Sequence, residues 1–126
     1  MNYRTPVKKA HGLGAGNHGA GQWWAQRVTA IALVPLLLWF VVGVAAYSGG
    51  GYEEAVGWIG APVNAVLLIL TIAITFYHGA LGIEEILQDY VGNEDLRIAL
   101  NLLQKFAAAI LAAAAIFAVL SIALGD

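Results

Sequence analysis

Charge disappears from this chain three times. Residues 28–47 carry none, residues 55–83 carry none apart from the open charge state of His78, and residues 106–125 carry none. Each run matches the roughly 20 mostly apolar residues that cross the hydrocarbon core of a bilayer. The pattern predicts an all-α membrane protein with three transmembrane helices, at about 28–47, 58–90 and 94–124. Ahead of them stands a polar arm, 1–27, with Gly12, Gly14, Gly16, Gly19 and Gly21 spaced through it. Glycine at that density builds no core, so the arm is expected to be irregular until something else holds it. The chain thus divides into that arm and a three-helix membrane unit, 28–126.

Composition sharpens the class. The chain is 60% hydrophobic and 11% charged, whereas a soluble domain carries about 25% charged residues. No room is left for a soluble catalytic domain, so catalysis by this chain alone is not expected. There are no cysteines, hence no disulfide, iron–sulfur or thiolate chemistry of its own. No basic cluster points to nucleic acid. The first apolar run is too long and begins too late for a cleaved signal sequence, so it reads as a retained helix.

The basic residues orient the spans. Arg4, Lys8, Lys9 and Arg27 precede the first, Arg97 and Lys105 follow the second, and the connection SGGGYEE between the first two carries none. By the positive-inside rule the N-terminus is expected on the cytoplasmic side. Trp23 and Trp24 then mark the cytoplasmic interface, with Tyr47, Tyr52 and Trp58 at the opposite one. In the third span, small residues such as Ala108 and Ala112 form a flat face suited to close helix packing.

Candidate chemistry concentrates in FYHGALGIEEILQDY, Phe76 to Tyr90. His78 is an ionisable residue inside an apolar run, and such residues are functional candidates by default. Eleven residues at 100° make three turns and 20°, so His78, Gly82, Glu85 and Asp89 share one helical stripe. Asp89 and Tyr90 lie about 16–18 Å beyond the histidine by helical rise, at the cytoplasmic interface. Gly79 and Gly82 leave space beside His78 for a flat, bulky ligand. After Tyr90, Gly92 reads as a helix stop and Asn93 as the cap of the next helix. A neutral imidazole in lipid suits haem as an axial ligand. A six-coordinate haem needs a second strong ligand, and His11 and His18 both lie in the glycine-rich arm. The haem is shared with another chain, or His18 folds back, or His78 merely hydrogen-bonds a neighbouring helix.

The pattern His78-Gly79, Gly82, Asp89-Tyr90, closing the second of three spans, resembles the smaller hydrophobic membrane-anchor subunit of succinate dehydrogenase, respiratory complex II. QRVTAIAL, Gln26 to Leu33, is similar to the arginine-containing entry of the first helix in that family. The resemblance implies that His78 is one axial ligand of haem b, its iron completed by a histidine of a cytochrome b-type companion anchor subunit. It implies that Tyr90 donates a hydrogen bond to a ubiquinone carbonyl and that Asp89 shapes that site or delivers protons. Arg27 would pair with a haem propionate. The flavoprotein and iron–sulfur subunits would dock on the Asp89–Tyr90 side, in the bacterial cytoplasmic membrane or, second, the mitochondrial inner membrane. Three other readings stand beside it: a cofactor-free structural subunit, a self-contained small cytochrome b, and a fumarate-reducing relative that uses menaquinone.

Overall fold

The computed structural model describes the backbone of residues 15–125 and the side chains of residues 20–125. Arg4, Lys8, Lys9, His11 and the His18 side chain lie outside the described residues. The described chain forms four helices: α1 (Ala15–Tyr47), α2 (Gly51–Gly60), α3 (Pro62–Tyr90) and α4 (Glu94–Ala123). Three of them, α1, α3 and α4, are long and apolar enough to cross a membrane.

The arm departs from expectation. Its last thirteen residues, 15–27, are helical and run unbroken into the first span. Each glycine costs a helix about 1 kcal/mol relative to alanine. Extending an existing helix is nevertheless far cheaper than nucleating one, and the apolar segment behind supplies the nucleus. α1 also continues through Pro35.

The second span also differs from the expected 58–90. Residues 58–60 belong to α2, and Ala61 breaks the chain with an extended backbone, φ −61° and ψ 133°. Pro62 is the physical reason. Its ring disfavours the helical region for the residue before it, while its fixed φ and missing N–H suit the first position of a helix. Asn64 Nδ2 donates to the Trp58 carbonyl at 3.0 Å, satisfying one acceptor left open at the end of α2. At the other end of α2, Gly51 adopts φ 84°, a left-handed conformation that favours glycine.

α3 is the central element. α1 and α4 both pack on it and, among the described residues, do not approach one another within 8 Å between Cα atoms. α2 touches all three near the α1–α2 turn. The small core sits at that end: Ala65, Leu68 and Val119, with Trp39, Trp58, Ile59 and Ile72 against them. Trp58 therefore is not a free interface anchor. It stacks on Trp39 and Tyr47, with ring centroids 5.3 and 6.1 Å apart. The alanine face of α4 turns toward α3, where Ala108 and Ala112 line an apolar groove of about 490 Å³ with Ala73, Phe76 and Ala80.

Within the most apolar stretch of each span, only 11%, 11% and 6% of residues are buried. Two spans packed on a central third enclose little of their own apolar surface. The outward faces are left to lipid or to further helices.

Candidate functional site at the α1–α3 seam and the end of α3

α3 presents different chemistry on two faces. Toward α4, Gln104 Nε2 donates to the Ala80 carbonyl at 3.1 Å and to Asn101 Oδ1 at 2.9 Å. One turn further on, Lys105 Nζ meets Glu84 Oε2 at 3.0 Å. Toward α1 lies His78, half-buried. Its Nδ1 stands 2.8 Å from Thr29 Oγ1. The same hydroxyl donates back to the Ala25 carbonyl at 2.7 Å, with a longer approach to the Gln26 carbonyl at 3.1 Å.

The seam continues one turn beyond the histidine. A side chain at Gly82 would meet Gln26 Nε2 at 3.6 Å, so the glutamine amide lies across α3 where the glycine leaves room. Gln22, Gln26, Thr29 and Leu33 follow one another at spacings of four, three and four, which places them on a single face of α1. Gln22 Nε2 and Gln26 Oε1 are buried without a hydrogen-bond partner among the described residues. A Cβ at Gly79 would meet nothing within 4 Å, and Gly79 borders an apolar groove against Gln104, Ala107 and Ala108 of α4.

The stripe of His78, Gly82, Glu85 and Asp89 expected from helical spacing is half-buried at its first three positions and exposed at Asp89. Sequence reasoning missed Thr29, Gln26 and Gln22. The readable signal was the helical spacing of three polar residues at the entry to an apolar run.

Asp89 and Tyr90 end α3, and both are exposed, Tyr90 by 83%. Because α3 is unbroken from Pro62, the offset of about 16–18 Å from His78 holds. The turn behind them is fixed twice. Asn93 Oδ1 accepts from the Leu96 N–H at 3.0 Å, the expected cap. Arg97 Nη1 donates to the Val91 carbonyl at 3.3 Å, near the C-terminus of α3. The helix does stop where anticipated, but not through a left-handed glycine. Val91 turns extended at φ −104°, ψ 105°, and Gly92 has no positive φ. A carboxylate and a phenol thus stand side by side, open to solvent or a partner, on a rigid corner.

Arg27 is exposed, its guanidinium 4.8 Å from the Trp23 ring centroid, and no described contact brings it to His78. Among the described residues no three His, Cys, Asp or Glu side chains converge as a metal cluster.

Residues 1–121 match the succinate dehydrogenase/fumarate reductase transmembrane subunit family. The chain belongs to that family. Over 125 residues it is 31% identical to the succinate dehydrogenase hydrophobic membrane anchor subunit of Paracoccus denitrificans, covering 99% of this chain and 96% of that one. Over 96 residues it is 28% identical to the subunit of the same description from Rickettsia bellii, covering 76% and 77%. Over 83 residues it is 34% identical to the succinate dehydrogenase membrane anchor subunit of Reclinomonas americana, covering 64% and 69%. The resemblance read from His78 to Tyr90 is borne out at the level of the family. Similarity to membrane anchor subunits also fits a non-catalytic part of a larger assembly.

Proposed function

We propose that the chain anchors the flavoprotein and iron–sulfur subunits of a succinate:ubiquinone oxidoreductase in the bacterial cytoplasmic membrane. With a companion anchor subunit it contributes to the haem b and ubiquinone sites. The observation that carries this is the layout of α3. One unbroken helix holds His78 at an inter-helix seam and ends in an exposed Asp89-Tyr90 corner. The bacterial relatives from Paracoccus and Rickettsia support the location. The distribution of basic residues supports a cytoplasmic N-terminus and, across an even number of crossings, an Asp89–Tyr90 corner on that same side.

The residues fit a haem. The His78 Nδ1 is engaged by Thr29, no described group hydrogen-bonds Nε2, and the neighbouring Gly79 carries no side chain to crowd the ring. A haem held there supplies single-electron transfer between carriers. His78 would hold the iron from this chain, together with a histidine of the companion subunit. Arg27, near the same end of α1, would reach a propionate by exchanging its place over Trp23.

At the corner, Tyr90 donates its O–H to a quinone carbonyl while retaining its own proton. Asp89 beside it holds or passes a proton from the adjoining water. The exposed faces of α1 and α4 meet the companion anchor and lipid. A fumarate-reducing relative would use the same scaffold. The Asp-Tyr pair favours ubiquinone.

Deleting the chain from cells tests the anchoring role. Succinate oxidation by an artificial dye is expected to move from the membrane to the soluble fraction, and quinone reduction to be lost. Dye-linked activity that stays on the membrane would contradict it.

A further inference from the structure

We infer that Thr29 is a positioning residue for His78, fixing the imidazole as its Nδ1–H tautomer so that Nε2 keeps the lone pair a metal would take. The inference rests on the haem reading of His78 and adds to it a residue on a different helix.

The number of protons available at the seam decides the tautomer. A threonine hydroxyl has one proton to give and two lone pairs to offer. Thr29 Oγ1 lies 2.7 Å from the Ala25 carbonyl oxygen, a separation at which two oxygens require a proton between them. A carbonyl never supplies one, so the hydroxyl proton is committed to Ala25. The contact of 2.8 Å between Thr29 Oγ1 and His78 Nδ1 then needs a second proton, and only Nδ1 can provide it. A metal-ligating imidazole is the neutral form. With Nδ1 protonated, Nε2 carries the lone pair.

This is the arrangement a metal-ligating histidine needs. The second ring nitrogen of such a ligand donates to a fixed acceptor, which sets the tautomer, holds the ring plane and raises the basicity of the ligating nitrogen. Here the acceptor is itself held, because the Thr29 hydroxyl is locked to its own helix through Ala25. The ring orientation is thereby tied to the packing of α1 on α3. A threonine that served packing alone would make the bond to Ala25, which Thr71 makes to Leu67 at 2.7 Å, and nothing more. Thr29 makes the second contact across the seam.

The test uses the assembled complex carrying Thr29→Val, Thr29→Ala, Thr29→Ser or His78→Ala. Three properties of the haem are read: the electron paramagnetic resonance g values of its ferric form, its midpoint potential, and its rate of transfer to apomyoglobin. Hydrogen-bond partners of metal-bound histidines are worth about 10–100-fold in affinity. Thr29→Val and Thr29→Ala are therefore expected to transfer haem about tenfold faster, with displaced g values and a midpoint shifted upward. Thr29→Ser, which keeps the hydroxyl, is expected to match the parent. A purely steric role gives the reverse pattern, with valine native-like and serine and alanine altered together, and that result overturns the inference. If the valine variant fails to assemble, the serine and alanine pair still separates the two patterns. His78→Ala tells the two levels apart. Unchanged haem in that variant removes the haem reading itself. Altered haem there, with native-like Thr29→Val and Thr29→Ala, removes only the role of Thr29.

Discussion

Gly43 of α1 lies against the indole of Trp58 of α2, and a single Cβ at that position would overlap the ring. This contact closes the end of the molecule opposite the Asp89–Tyr90 corner. The indole, stacked between Trp39 and Tyr47, bears on the buried cluster of Ala65, Leu68 and Val119. Gly43→Ala must displace a ring held on both sides, and overpacking of this kind costs about 1–3 kcal/mol. The variant complex is expected to melt at a lower temperature in detergent, with its haem spectrum unchanged. An unaltered melting temperature would show that Trp58 has room to move.

The pair Glu84–Lys105 joins α3 to α4 with unequal exposure, 18% for the glutamate side chain and 47% for the lysine. Removing the lysine strands the less exposed carboxylate. Removing both charges strands neither. Lys105→Met is therefore expected to destabilise by about 1–3 kcal/mol, and adding Glu84→Gln to recover much of that loss. A double-mutant cycle on thermal stability measures the coupling. Additive losses would mean that the ion pair contributes nothing of its own.

At the end of α3, Tyr90→Phe removes one hydrogen-bond donor and little else. A neutral hydrogen bond contributes about 0.5–1.5 kcal/mol, which corresponds to a loss of roughly 2- to 13-fold in kcat/KM for quinone. Steady-state quinone reduction by the assembled complex is the measurement, with haem content expected to equal the parent's. Unchanged quinone kinetics would take Tyr90 out of the site.

Much of this architecture was legible because it follows from hydropathy and local chemistry. Three charge-free runs gave three spans, Asn93 before Glu94 and Asp95 gave the cap of α4, and the 100° spacing put His78 on one stripe with Gly82, Glu85 and Asp89. The break at Ala61 was less visible because residues on both sides are apolar. Pro62 was its only local mark. The helical start at Ala15 ran against glycine propensity and depended on the long helix behind it. Trp58 looked like an interface aromatic because its partners Trp39 and Tyr47 lie on another helix, beyond the break at Gly49–Gly50. The same holds for Thr29, 49 residues from His78. Pairings between helices are set by how the spans pack, and a single sequence records them only as faint polar spacing.

The most direct test of the central claim is optical. The purified complex, with its partner subunits and either native His78 or His78→Ala, is treated with succinate, and the reduced-minus-oxidised spectrum is recorded. The account predicts a b-type haem band on succinate addition in the native complex and its loss or displacement in the variant. An identical band in both, or no band from an intact native complex, would contradict it.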